Sequence, residues 1–200
     1  YGEKSEQIKW LVEDLKVANE HRDKVPWIVF TIHRPIYCSD ASEYNNHRPG
    51  CKIQQAFERL LIQYKIDLVT VGHEHCYERT HPVINGTVVN FPKQTLHGDD
   101  VYTNPKAPIH VVVGTAGAFQ HETWVQPAPI WSAKRFANGN CSTAASSASN
   151  KYTDSSCRYT DTFGYGHLNV KNSSYLKFEF VPITGTISDS FIIIKGGEEG

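Results

Sequence analysis

The stretch that most constrains this chain is Asp67-Leu68-Val69-Thr70-Val71-Gly72-His73-Glu74-His75-Cys76-Tyr77-Glu78-Arg79. Its apolar, β-branched start reads as a buried strand that stops at Gly72. Two histidines follow, one residue apart. In extended chain, residues i and i+2 point the same way, so His73 and His75 can face one point beyond the strand end. Neutral imidazole is the commonest metal ligand, which makes that point a candidate metal site. A polar loop with solvated histidines is the other reading. A second buried-type strand, residues 25–32, ends at His33-Arg34-Pro35. Both strands thus deliver histidine at their carboxyl ends, where open α/β sheets build their sites. Between them, residues 51–64 carry Ile53, Phe57, Leu60 and Leu61 on one helical face. A helix between two strands is the signature of a parallel pair.

The remaining pattern gives one α/β domain over residues 1–200. Residues 5–19 form an amphipathic helix with Ile8, Leu11, Val12 and Leu15 inward, Trp10 adding bulk and Ser5 as cap. Asn85-Gly86 marks a hairpin within 83–91. Residues 93–108 read as loop, 109–113 as a buried strand, and 120–161 as a long irregular segment rich in Ser, Ala and Asn. An antiparallel meander over 166–170, 175–181 and 186–194 closes the chain. No P-loop, Gly-x-Ser-x-Gly or GxGxxG occurs, so serine-nucleophile and nucleotide-fold chemistry lack support.

Lys and Arg total 20 against 21 Asp and Glu, a net charge of −1. Electrostatics therefore points to neither nucleic acid nor an acidic membrane as partner. No stretch approaches a membrane span, and the N-terminus lacks the apolar core of a signal peptide. Five cysteines and three sequons, at Asn85, Asn140 and Asn172, favour an oxidising secretory route: secreted, lysosomal or vacuolar. Cys38 and Cys51 bracket one polar loop, and Cys141 and Cys157 another, which suggests two disulfides. Cys76 is left over, as a buried free thiol or an interchain bridge.

Ile32-His33-Arg34-Pro35-Ile36-Tyr37-Cys38-Ser39, followed by Gly72-His73-Glu74-His75-Cys76-Tyr77-Glu78-Arg79, resembles the last two metal motifs of the purple acid phosphatases, a family of dinuclear metallophosphoesterases. Tyr102-Thr103-Asn104-Pro105, Gly114-Thr115-Ala116-Gly117 and Phe163-Gly164-Tyr165-Gly166 resemble later segments of its longer members. The resemblance implies the C-terminal half of a four-layer αββα sandwich of mixed β-sheets flanked by helices. It implies an acid phosphatase hydrolysing phosphate monoesters with Fe(III) paired with Zn, Mn or Fe(II), a metal-bound hydroxide being the nucleophile. His33 and His73 then belong to the divalent ion and His75 to the ferric ion. His47, in the loop after His33, is the candidate to bind phosphate or protonate the leaving oxygen; a solvated loop histidine is its plain alternative. Arg34 is readable as a substrate contact or an ion pair under the site, Glu78 and Arg79 as groups orienting the ligands or a structural salt bridge, and His110 as structural.

The family also uses an Asp, a bridging Asp, a Tyr and an Asn from earlier motifs, roughly Asp-x-Gly, Gly-Asp-x-x-Tyr and Gly-Asn-His. None stands in order here; Gly98-Asp99-Asp100-Val101-Tyr102 fits the middle one but lies after the His-x-His motif. The expectation is three of seven ligands, with the N-terminal half of the catalytic domain on a companion chain or segment. The alternatives are a metallophosphodiesterase of related fold and a non-catalytic secreted glycoprotein domain.

Overall fold

The computed structural model describes residues 5–94, 98–118, 123–136 and 163–196. Helix α1, Glu6–Glu20, is capped by the Ser5 side chain, which accepts from the Ile8 amide at 3.3 Å. Ile8, Leu11 and Leu15 are buried on its inner face. Trp10 is 64% exposed and points away from that face, contrary to expectation. Strand β1, Val29–Ile32, is followed by a polar loop holding a single 3₁₀ turn at Tyr44–Asn46. Helix α2, Lys52–Gln63, buries Ile53, Phe57 and Leu61, and strand β2, Leu68–Val71, pairs parallel with β1. The βαβ reading thus holds.

The later elements are β3 Tyr77–Thr80, β4 Val83–Ile84, β5 Thr87–Val88, β6 Lys93–Gln94, β7 Asp100–Thr103, β8 Ile109–Val113, β9 Ser132–Phe136, β10 Gly164–Val170, β11 Tyr175–Pro182 and β12 Asp189–Ile194. β4 and β5 form the Asn85-Gly86 hairpin. One five-stranded sheet has the order β1-β2-β8-β3-β9, the other β10-β11-β12-β7-β6. Both are mixed, with β1, β2 and β8 parallel in the first and β12 parallel to β7 in the second. The helices cover one face of the first sheet in a core of Leu11, Phe57, Leu61, Val69 and Val112. Its other face meets the second sheet through Tyr77, Val111, Leu176, Phe180 and Phe191. The described residues therefore supply an α/β/β stack; no helix among them covers the outer face of the second sheet.

Four strands differ from the sequence reading. β6 and β7 lie in the segment read as loop, β9 in the segment read as irregular, and β3 directly after the histidine motif. The Ser-Ala-Lys-Arg-Phe of β9 has little intrinsic strand preference; antiparallel pairing with β3 sets its conformation.

β3 also ties the sheets together. The Arg79 guanidinium is fully buried. It donates to Asp189 at 2.7 and 3.0 Å, to Asp100 at 2.7 Å and to the Tyr102 hydroxyl at 2.9 Å. Tyr77 donates to the same Asp189 at 2.8 Å. Removing a cation from water is costly unless charge and donors are met, and here the acceptors come from β7 and β12 of the facing sheet. Arg79 is thus an inter-sheet bolt, the structural member of its two readings.

The cysteine assignment needs correcting. Cys38, Cys51 and Cys76 are all free and buried, so the Cys38–Cys51 disulfide is not formed. The Cys51 sulfur faces the Ile36 carbonyl at 4.0 Å. Cys141, Cys157 and Asn140 lie outside the described residues. Asn85 and Asn172 are both exposed.

His110 is structural, as read. It is 2% exposed, its ring meets Tyr37 edge-on at 5.1 Å, and Nδ1 has no hydrogen-bond partner. Burial pushes its pKa down to about 3. Between the ordinary histidine value and that depressed one, the unfolded chain binds a proton that the folded chain refuses. Stability therefore falls as pH drops, by up to about 1.4 kcal/mol per pH unit. His110→Leu should shrink the loss of stability between pH 7 and pH 5 by roughly 2 kcal/mol in denaturant titrations. An unchanged pH slope in that variant would show that His110 does not resist protonation.

Candidate metal centre

β1 and β2 run in register, Ile32 opposite Val71. The ladder continues one step further, because the Gly72 amide donates to the His33 carbonyl at 3.1 Å. His33 and His73 therefore leave the sheet at the same level. Their rings stand edge to face with centroids 5.0 Å apart, and His33 Nε2 lies 3.2 Å from His73 Nδ1. The chain at His73 is not extended, unlike the expectation for His73 and His75. His73 adopts φ +66°, the left-handed region that non-glycine residues seldom occupy. Tight turns follow, with Glu74 N donating to Gly72 O at 2.8 Å and Cys76 N to Glu74 O at 2.9 Å. Backbone strain of this kind is sustained only where the surroundings over-determine it, and it concentrates at functional sites.

Gly114 holds this turn in place. A Cβ there would lie 1.8 Å from the Glu74 carbonyl oxygen and 3.2 Å from His75 Cα. The Gly114 amide donates to the Cys76 carbonyl at 3.0 Å. β8 thus ends in the one residue type that lets the histidine loop lie directly on its backbone.

The loop after β1 brings the fourth histidine. His47 is 1% exposed, and Nδ1 lies 2.7 Å from the Pro35 carbonyl, which makes Nδ1 the N–H. Nε2 is left aimed at Glu74 Oε1, 3.2 Å away but off the hydrogen-bond line. A deprotonated imidazole nitrogen and a carboxylate oxygen are both acceptors, so this spacing calls for a proton or a cation between them. One ligand atom from each of Glu43, His47, His73 and Glu74 lies within 4.8 Å of the others. His33 joins through His73. His75, half-buried, is not among the grouped ligand atoms. Burial lowers the His73 pKa, and the nearby Arg34 lowers it further against the opposing pull of Glu74. That keeps the ring in the neutral form that binds metal.

His33, His47 and His73, named from the sequence, lie near one another; Glu43, Glu74 and Gly114 beside them were not singled out. Glu74 sat in plain view inside the motif. Glu43 had no signal, since only the folding of its loop brings it near. Glu78 proves to be a buried brace: it accepts from the Ser39 amide and hydroxyl, both at 2.6 Å, and from Ser132 at 2.5 Å. It pins the His47 loop to β3 and β9.

Residues 107–190 match the model of the iron/zinc purple acid phosphatase-like protein C region, and residues 2–77 match the calcineurin-like phosphoesterase model. The chain belongs to the purple acid phosphatase family. It is 38% identical over 138 residues to human acid phosphatase type 7, covering 64% of this chain and 30% of that protein. Zebrafish acid phosphatase type 7 is 31% identical over 207 residues, covering 94% and 40%. The structure resembles a purple acid phosphatase from yellow lupin seeds, with a TM-score of 0.70 and 26% identity over 96% of this chain and 28% of that one. The chain thus spans well under half the length of these purple acid phosphatase family relatives.

The residues here fit one side of the family's metal centre. Two imidazole nitrogens at 3.2 Å suit ligands of one ion, and the orphaned His47 Nε2 faces the same space. Gly114→Ala should force the Glu74–His75 backbone aside and weaken metal binding by about 10–100-fold, as loss of a supporting contact typically does. Metal titration beside a circular dichroism spectrum tests this. Unaltered affinity in a folded variant would show that the close approach does not position the histidines.

Proposed function

We propose that this chain carries the histidine-rich half of an acid phosphatase site that hydrolyses phosphate monoesters. The observation that carries the reading is the convergence of His33 and His73 from two parallel strand ends, with buried His47 Nε2 turned toward the same space. His33 and His73 would hold the divalent ion, and His75 would serve the ferric ion. Iron and zinc are the candidate pair, since a relative from Arabidopsis is named an Fe(3+)-Zn(2+) purple acid phosphatase. When bound, such a pair supplies charge neutralisation and an activated water at mild pH.

The chain's own residues do the rest. The Pro35 carbonyl fixes His47 so that Nε2 faces inward, where it holds the proton destined for the leaving oxygen or donates to phosphate. Glu74 Oε1 lies 3.2 Å from that nitrogen. Exposed Arg34, next to His33, adds positive charge for an anionic substrate.

Histidines are neutral ligands, so a companion segment bearing the family's carboxylates, tyrosine and asparagine completes the site. It adds strands beside β1. That strand is the edge of its sheet, alternates exposed and half-buried residues, and borders an apolar groove lined by Val17, Val25, Trp27 and Val29. A secretory route with glycans at exposed Asn85 and Asn172 belongs to the same proposal.

Expression of this chain alone and beside the upstream half separates the readings. The pair should hydrolyse an aryl phosphate monoester at acid pH, and the lone chain should not. His47→Gln in the pair should lower kcat at least about 100-fold with metal retained. Preference for a diester points instead to a phosphodiesterase, and metal-free inactivity of the pair to a binding module.

A further inference from the structure

A single 3₁₀ turn, Tyr44–Asn46, separates Glu43 from His47. The Asn46 amide donates to the Glu43 carbonyl at 2.8 Å and the His47 amide to the Tyr44 carbonyl at 3.0 Å, so both residues leave one tight coil. Each side chain is held as a metal ligand is usually held. His47 is buried and its Nδ1–H donates to the Pro35 carbonyl at 2.7 Å. Its Nε2 has no hydrogen-bond partner among the described residues. Glu43 Oε2 accepts from the Asn46 side-chain amide at 2.5 Å, which aims the carboxylate. A ligating imidazole ordinarily donates its other N–H to a carbonyl or carboxylate, and ligating carboxylates are themselves hydrogen-bonded. Glu74 Oε1 completes the group, 3.2 Å from His47 Nε2 and 3.6 Å from His73 Nε2.

His73 thus presents a different nitrogen to each neighbour: Nδ1 to His33 at 3.2 Å, and Nε2 to Glu74. A neutral imidazole has one bare nitrogen at a time, so the ring serves one position or the other. His33 and His73 bring no negative charge, whereas Glu43 and Glu74 bring two, the charge that balances a divalent ion. The ligand atoms of Glu43, His47, His73 and Glu74 lie within 4.8 Å of one another. A shell with bonds of about 2.0–2.2 Å spans at most about 4.4 Å, so a small side-chain adjustment closes this group on an ion. Mixed nitrogen and carboxylate donors suit zinc better than calcium or magnesium.

We propose that Glu43, His47 and Glu74 form a second cation site for a zinc-like divalent ion, separate from the His33–His73 position, and that an ion there inhibits the enzyme. His73 Nε2 is its fourth ligand whenever Nδ1 is not engaged by the first position. The inhibition rests on the phosphatase reading. A nitrogen bound to a metal carries no proton, so the ion removes His47 from its part in leaving-group protonation or phosphate binding. It also favours the His73 tautomer that the His33 position cannot use.

The test takes the companion-completed protein with its resident ions bound and titrates it with zinc alone. Calorimetry should show one further zinc equivalent. Glu43→Gln and Glu74→Gln should each weaken it at least about 10–100-fold, the loss that even an outer-shell partner typically causes. Glu43 is a half-buried loop residue, so its variant still reports where Glu74→Gln fails to fold. In zinc-soaked crystals an anomalous peak should lie about 2.0–2.2 Å from His47 Nε2 and from an oxygen of each glutamate. Hydrolysis of an aryl phosphate should fall as the site fills, and half-inhibition in Glu43→Gln should need proportionately more zinc. Equal zinc affinity in wild type and Glu43→Gln, or no peak at His47, overturns the site. Zinc held there with an unaltered rate overturns the inhibition. A protein that never hydrolyses the ester yet binds zinc through Glu43 refutes the phosphatase reading, and the inhibition with it, while the site stands.

Discussion

β1 and β2 pair in parallel from Val29 opposite Leu68 to Ile32 opposite Val71, and the Gly72 amide extends that ladder to the His33 carbonyl. Register in a sheet is all or nothing: a slip of one residue turns every side chain to the other face. Here it would also move His33 by a strand step relative to His73 and part the two imidazoles. The register is held by α2 packing Phe57 and Leu61 against the sheet and by β8 on the far side of β2. The site is thus a consequence of how the core packs.

The second requirement is a firm base for the histidine loop. β3 begins immediately after the loop and is braced on three sides. Arg79 joins it to the facing sheet through Asp189, Asp100 and Tyr102. Glu78 joins it to Ser39 and Ser132. Gly114 admits the loop onto β8. The Tyr-Glu-Arg that follows the histidines is therefore the loop's anchor, placing alternate side chains into two different cores. A buried cation and a buried carboxylate add little net stability, but they fix a single arrangement.

Much of this was legible in the sequence. The amphipathic faces of α1 and α2, the two histidine-terminated strands and the closing meander all follow from apolar periodicity. What escaped did so for physical reasons. β7 and β9 are short, and pairing with distant neighbours defines them. Glu43 approaches the site only because its loop folds back. The Cys38–Cys51 expectation rested on position along the chain, whereas sulfur direction depends on how the loop packs. The extended geometry expected of His73 and His75 gives way to a left-handed turn at His73.

The central claim is that His33 and His73 bind the same ion. The most direct test is a crystal structure of the companion-completed protein with anomalous data collected at the metal edges. The account predicts a metal peak about 2.0–2.1 Å from an imidazole nitrogen of each, the usual spacing for zinc and histidine. A fully loaded protein with metal bound elsewhere, and these two rings coordinating nothing, would contradict it.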